Sequence, residues 1–370
     1  MLKNEKVSVY NGAFPRKMQE KSVHMKQEAN IYEIAKEAGV SIATVSRVIN
    51  HSPTVSEKST KRVMDAIQKL NYVPNSAARN LSTSNSNTIG VVVPDIEDPF
   101  FCHLLRGITL AADEMHLKIM LFNSCESIER QHGILDSLRE QRLRGIILTP
   151  VSAVDEHTVQ ALESFEALGI PVVLLDREME DCELDRVITD DEDGVYHAVS
   201  ALIELGHRDI AIITGPYSTR PGQARLHGYK RAMEQYGLPL KAEYIREGDF
   251  KVQRAYERSL ELLHLPHPPT AIFASNNMTT YGCLRAFHEL GLEPGRDIAI
   301  VGYDDIPELG WLNYPLSVVG RDVPAMGEQA MRRLLQRFEA EETERIRICL
   351  GTELIFRGSE RAVALSDIKP

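Results

Sequence analysis

The sequence predicts an all-α helix-turn-helix head followed by an α/β core of two lobes built on parallel sheets. Three observations carry that expectation. Between residues 30 and 73, apolar side chains recur at helical spacing in three short segments. From Ile89 onward, short β-branched runs alternate with amphipathic segments, the pattern of βαβ units. Midway the series restarts, because GHRDIAIITG repeats the strand-after-turn form of LRGIILTP, and about 280 residues is large for one sheet.

The 370 residues include 43% hydrophobic and 26% charged side chains, which excludes collagen-like, disulfide-scaffold and wholly disordered chains. No apolar run approaches the ~18 residues of a membrane span. The first thirty residues hold no apolar segment of an export signal. A cytoplasmic protein without a membrane partner is the expectation. Five cysteines (Cys102, Cys125, Cys182, Cys283 and Cys349) are scattered and never spaced as C-x-x-C, which is the usage of reduced thiols. The net charge of −11 is uneven: residues 1–88 hold 13 Lys+Arg against 7 Asp+Glu, and residues 89–370 hold 29 against 46. A small basic head on an acidic body suggests that the head alone meets a polyanion.

The elements follow in order. Residues 1–29 are polar and aperiodic and are expected to form a flexible extension. Residues 30–74 are assigned to the helix-turn-helix head. Ile31, Ile34 and Ala35 share one helical face, and Gly39 suits the tight turn that follows. Ser41 can cap a second helix with Val45, Val48 and Ile49 inside. Pro53 ends the connection. Ser56 can cap a third helix with Val63, Ala66, Ile67 and Leu70 at i, i+3, i+4 and i+7, and Pro74 stops it. Residues 75–88 read as a short helix capped at Asn75 followed by a Ser/Asn/Thr linker, too short to hold a helix alone in water. The core spans residues 89–358 and a tail residues 359–370. Its strands are expected in IGVVVPDI, KIMLF, GIILTP, PVVLLD, DIAIITG, AIFASN, DIAIVGYD and LSVVG.

The outer face of the second helix carries Ile42, Ala43, Ser46 and Arg47, opposite its apolar stripe. In a helix-turn-helix this face enters the major groove. Arg47 has the donor fork for guanine or phosphate, and Ile42 and Ala43 offer apolar contact to a thymine methyl. Ser41, Thr44, Ser56 and Ser59, with the helix N-termini, can hold phosphates, and Asn50 at the end of the second helix joins this set. A three-helix protein-interaction module is the other reading of the same spacing.

Ligands of open parallel sheets sit outside the carboxyl ends of the strands. The loops after Pro94, Asp176, Gly215, Asn276 and Asp304 therefore surround a cleft between the lobes. Asp95, Phe100, Phe101, Asp176, Arg225, Phe250, Asn276 and Asp304 come from these strand ends. An Arg and an Asp facing one cleft can grip vicinal hydroxyls, and aromatic rings can cover the apolar face of a sugar or similar polyol. Each residue also has a plainer role: the Phe pair in the core, Arg225 with a nearby acid, Asp304 in a turn, Asp176 closing a strand. The run Asp190–Asp193 reads as helix capping and dipole complementation rather than a metal site. No metal or cofactor motif and no assembled catalytic motif is present, so an enzyme is not expected.

The runs IYEIAKEAGVSIATVSRVIN, VSEKSTKRVMDAIQKLNYVPNSAARNL and TIGVVVPDIEDPFF resemble the lac/gal repressor family of bacterial transcription regulators. Later landmarks, LIELGHRDIAIITGP, AIFASNN and DIAIVGYDD, are similar to it as well, from Asn30 to about Gly358. The resemblance implies a core like that of periplasmic binding proteins and a hinge helix that folds on double-stranded operator DNA. Asn75, Ala78 and Arg79 would line that helix in the minor groove. Leu81 matches the position that wedges between base pairs and kinks the duplex. Phe100, Phe101, Arg225, Phe250, Asn276 and Asp304 match effector-contacting positions. Asn277 departs from the family's common Asp. The resemblance implies a homodimer on a pseudo-palindromic operator, repressing carbohydrate-utilisation genes until a sugar-type effector releases it. A corepressor-dependent regulator of purine type and a stand-alone sugar-binding receptor remain alternatives. The C-terminal stretch has no leucine heptad, so no tetramerising coiled coil is expected.

Overall fold

The computed structural model describes residues 30–49, 54–72, 86–339 and 344–361. The chain divides into two compact units, residues 1–84 and 85–370. The extension, Pro53, Pro74 and the expected hinge helix lie outside the described residues.

In the first unit, α1 (Ile31–Ala38) opens on a capping box. The Asn30 side chain accepts from the Glu33 backbone N–H while the Glu33 carboxylate accepts from that of Asn30. Gly39 ends the helix at φ 61°, a left-handed turn that favours glycine. The Ser41 hydroxyl caps α2 (Ile42–Ile49) by accepting from Thr44 N–H at 3.1 Å. Ser56 caps α3 (Glu57–Lys69). Ile34, Ala35, Ala38, Val45, Val48, Val63 and Ala66 are buried together, and Ile31, Ile49, Ile67 and Leu70 close the edges. That core is the one the spacing predicts. Arg62 donates to the Gly39 carbonyl at 3.1 Å and Lys69 pairs with Glu37 at 2.6 Å, so α3 is tied to α1 and its turn.

The second unit holds two lobes. Lobe one contains β1 (Thr88–Val93), α4 (Pro99–Glu114), β2 (Lys118–Asn123), α5 (Ile128–Arg139), β3 (Gly145–Leu148), α6 (Glu156–Ala167), β4 (Val172–Leu175) and β5 (Asp185–Thr189). Lobe two contains α7 (Asp191–Glu204), β6 (Ile210–Thr214), α8 (Arg220–Gln235), β7 (Ile245–Glu247), α9 (Val252–Leu263), β8 (Ala271–Ala274), α10 (Asn277–Leu290), β9 (Ala299–Tyr303), α11 (Pro307–Trp311) and β10 (Ser317–Gly320). The chain then returns through α12 (Val323–Glu339) and β11 (Arg347–Leu350) to lobe one, and ends its last strand, β12 (Glu353–Ile355), in lobe two.

The sheets have matching orders, β11-β5-β4-β3-β1-β2 and β12-β10-β9-β8-β6-β7. All pairs are parallel except β10 with β12. Helices cover both faces of each sheet, so central strands such as GIIL and VVLL are buried on both sides and read as continuous apolar runs. Three crossings join the lobes, between Thr189 and Asp191, between Gly320 and Val323, and between Leu350 and Glu353.

The structure corrects the sequence reading in two respects. Four strands were not expected: β5, β7, β11 and β12. β7, β11 and β12 are short, partly exposed edges without a long apolar run. β5 begins at Asp185, which is buried only because Arg333 and Arg337 from α12 bind its carboxylate. The lobes are also interleaved rather than consecutive. Ser359 and Glu360, placed in the tail by sequence, are buried in lobe two. There Ser317 donates to Glu360, and Ser359 donates to the Ile300 carbonyl at 2.7 Å.

The returning helix α12 crosses α4 at reciprocal glycines. A Cβ on Gly107 would stand 1.9 Å from the Pro324 carbonyl oxygen, and one on Gly327 would stand 2.1 Å from that of Leu104. Neither backbone can yield without parting the helices. Gly107→Val is therefore expected to cost about 3 kcal/mol or more in urea unfolding. Gly133→Ala, at an open position of α5, is expected to be neutral or to stabilise by up to about 1 kcal/mol.

Candidate functional site

The head presents an exposed face on α2. Ile42, Ala43 and Arg47 are exposed and Ser46 half-buried, while Val45 and Val48 point into the core. Arg47 forms no ion pair among the described residues, so its guanidinium is open to a partner. Ser41 and Thr44 share a hydroxyl contact of 2.9 Å at the start of α2, and Ser56 and Ser59 one of 3.0 Å at the start of α3. Both helix N-termini thus carry clustered hydroxyls and backbone N–H groups, a geometry suited to phosphate oxygens. Asn50, Asn75, Ala78, Arg79 and Leu81 lie outside the described residues.

In the second unit, Phe100, Phe101, Asp176, Arg225, Phe250, Asn276 and Asp304 line one narrow cleft between the lobes, with Asp95 among them. Asp176 follows β4 and Asp304 follows β9, at equivalent places in the two sheets. Both adopt left-handed backbone, at φ 66° and 69°, a conformation that aspartate tolerates better than most residues. Each is pinned there by its N–H, to the Val187 carbonyl at 2.8 Å and to the Val319 carbonyl at 2.9 Å. The two carboxylates converge on Arg321, in the second crossing. Its Nη1 donates to Asp176 at 2.7 Å and to Thr189 Oγ1 at 2.9 Å, and its Nε donates to Asp304 at 2.7 Å. The Phe100 ring lies 4.2 Å from the same guanidinium.

Arg225 makes a second buried cluster. It stands on the second turn of α8, not at its start, and donates to Asp191 at 3.0 Å and to the Ser275 carbonyl at 2.5 Å. Tyr303 also donates to Asp191, and its ring lies 3.7 Å from the Arg225 guanidinium. Asp191 thus corrects the sequence reading of its acidic run. Asp190 caps α7, but Asp191 turns inward as the partner of Arg225. A third arginine, Arg177, is forked to Glu126 at 2.9 and 2.7 Å. Phe250 lies between Arg177 and Arg225, at 5.7 and 5.8 Å. Its φ of 61° is a strained backbone for a bulky residue. Gly215 makes room for the ring, since a Cβ there would meet it at 1.9 Å. Asn276 caps α10 and donates weakly to the Phe250 carbonyl at 3.4 Å.

The charges set each other's titration. Burial raises the Asp176 carboxyl above its usual range, against the pull of Arg321. Burial also pushes Asp191 up, but Arg225 and Arg321 outweigh it and hold the group below the usual range. Burial and the neighbouring Asp191 raise Tyr303 well above a free phenol. Burial lifts Asp98, the cap of α4, to about 6, against hydrogen bonds from Asn277 and Phe100. The Asn277 bond, 2.9 Å long, crosses the cleft. An Asp at 277 would set two carboxylates face to face, which explains the asparagine.

Sequence reasoning brought all eight cleft candidates to one place but missed Arg177, Arg321, Glu126, Asp98 and Tyr303. Arg321 follows the carboxyl end of LSVVG, whose loop was not among the five assigned to the cleft; applying the strand-end rule to that strand as well would have found it.

Three comparisons bear on this geometry. Residues 30–75 match the family model described as bacterial regulatory proteins, lacI family, and residues 199–360 match the periplasmic binding protein-like domain. The chain is 34% identical over 316 residues to the HTH-type transcriptional repressor PurR of Actinobacillus pleuropneumoniae serotype 3 (strain JL03), covering 85% of this chain and 93% of the relative. Among solved structures it is similar to the lac repressor dimer bound to operator and the anti-inducer ONPF. The TM-score is 0.79 at 28% identity, over 91% of this chain and 100% of the other. It is also similar to a transcriptional regulator CelR–cellobiose complex, with a TM-score of 0.67 at 29% identity, over 90% of this chain and 100% of the other.

Asp98 gives the cleft a pH signature. Its folded pKa of about 6 lies above the ordinary value of 3.8, so the fold favours the neutral acid. That contribution is whole below about pH 4 and is lost as pH rises through about 6. Asp98→Asn keeps an acceptor for both hydrogen bonds and cannot ionise. The melting temperature of Asp98→Asn relative to wild type is expected to climb between about pH 4.5 and pH 7.5. A difference that stays flat would show that Asp98 does not titrate there.

Proposed function

The chain belongs to the lacI family of bacterial regulatory proteins and is a DNA-binding transcriptional repressor, and from that premise we propose that it controls carbohydrate-utilisation genes and leaves its operator when a sugar-type effector fills the cleft. It acts as a homodimer on operator DNA under a small-molecule effector, as lacI-family repressors do. Residues 30–74 read the operator, residues 75–88 form the hinge, and the core from residue 89 through the buried Ser359 and Glu360 senses the effector and dimerises. Its work is binding rather than catalysis, in the cytoplasm; among the described residues no helix is long and apolar enough to cross a membrane.

The observation that carries the sugar reading is the cleft's chemistry. Carboxylates and arginines already hold one another in fixed positions, and Phe100 and Phe250 offer flat apolar faces between them. Fixed donors and acceptors beside rings suit a ligand with many hydroxyls and an apolar ring face. The cellobiose bound by CelR is of that chemistry.

The proposed coupling runs through the crossings. Arg321 touches both lobes and the first crossing at once. A ligand that competes for Asp176 or Asp304 changes how the lobes close, and β1 of lobe one continues the chain from the hinge. Effector and operator then oppose each other with equal coupling in both directions.

A pseudo-palindromic duplex selected from random sequence tests the DNA arm. Affinity is expected to fall steeply with salt, and Arg47→Ala is expected to weaken specific binding about tenfold or more while relaxing sequence preference. For the effector arm, neutral sugars should loosen the wild-type complex. Arg225→Met/Asp191→Asn, which removes a buried charge pair together, should still shift operator DNA but ignore the sugar. A sugar that tightens the complex would mark a corepressor instead.

A further inference from the structure

The Arg177 side chain lines the cleft and is only 5% exposed. Its Nη1 and Nη2 are taken by both oxygens of Glu126, and Nη1 also reaches the Pro150 carbonyl at 3.3 Å. Its Nε–H is buried and has no hydrogen-bond partner, which is costly unless something supplies an acceptor. Glu126 comes from the turn between β2 and α5. It is aimed by two successive left-handed residues, Cys125 at φ 52° and Glu126 itself at φ 56°. Two adjacent non-glycine residues in that region persist only when their surroundings hold them there. The Glu126 N–H on the Pro94 carbonyl at 2.9 Å is one such hold.

We infer that the Arg177–Glu126 fork is a charge filter: it admits neutral polyhydroxylated ligands and excludes anionic ones such as uronates and sugar phosphates. The inference rests on the cleft being the effector site. A free guanidinium fork at this depth would be a receptor for a carboxylate or phosphate. Glu126 occupies the fork, so an incoming anion must either displace Glu126 or lie beside it. The rest of the cleft offers no compensation. Arg225 and Arg321 are matched to Asp191, Asp176 and Asp304. Lys251 at the rim is exposed, and carboxylates outnumber cations among the lining side chains. A like charge brought into such a site is repelled, and specificity arises from that repulsion as much as from attraction.

The test uses the full chain, thermal melting and calorimetric titration. The probes are D-glucose with D-glucuronate and D-galactose with D-galacturonate, pairs that differ at one carbon, together with inorganic phosphate. Wild type is expected to ignore every anion at millimolar concentration. Glu126→Gln leaves Arg177 buried and unpaired, so it should melt lower, recover with uronate or phosphate but not with the neutral sugar, and gain about tenfold or more in anion affinity. Glu126→Gln/Arg177→Gln should lose that gain. A folded Glu126→Gln without the gain overturns the filter. So does a wild type that binds uronate or phosphate in a manner lost in Arg177→Gln. If Glu126→Gln folds only with anion present, that rescue supports it; if it never folds, the wild-type panel with Arg177→Gln decides. Operator affinity is followed in parallel. If no sugar of either charge alters it, the sugar-effector reading fails, while the gain in Glu126→Gln still decides the filter.

Discussion

Each buried arginine of the cleft is held by carboxylates, and Arg321 is the centre of that constraint. It joins the carboxylates of both lobes from within a crossing segment, with a side chain only 2% exposed. Its net contribution to stability is small, because desolvating three charges offsets most of their attraction. Its effect is on geometry. Removing any one partner would leave a buried charge uncompensated, so few arrangements of the two lobes satisfy all three at once. The same logic holds for Arg225 with Asp191 and Tyr303, which joins α8, α7 and β9.

That arrangement explains why the backbone is strained where it is. Asp176, Asp304, Phe250 and Glu126 are all left-handed and all face the cleft. Each places a side chain where a regular strand end or helix start could not. The matching positions of Asp176 and Asp304 reflect the matching order of the two sheets, and Arg321 sits where two equivalent carboxylates meet. The cleft is thus built from repeated backbone geometry, with individuality supplied by the loops. Glu126 and Arg177 are examples.

The head follows another regime. Its core is seven buried residues and a few edges, and local devices carry much of its definition: the capping box at Asn30, the left-handed Gly39 and the hydroxyl caps at Ser41 and Ser56. Such a unit spends its apolar residues on one side of each helix, which leaves the opposite face of α2 available for recognition.

The same division decides what could be read from residues alone. Helices α1 to α3, the caps of α2 and α3, the core of the head, the eight strands written as apolar runs and the strand-end loops of the cleft were legible, because each depends on neighbours a few residues apart and on periods of 3.6 or 2. The family was legible for the same reason, its motifs being local runs. The interleaving of the lobes, the strand at Asp185, the inward turn of Asp191 and the roles of Arg321 and Glu126 were not. Arg321 meets Asp176 across 145 residues and Arg177 meets Glu126 across 51. A charged residue in a sequence reads as solvated surface, and only the packed chain, by removing water from around it, obliges it to find its partner.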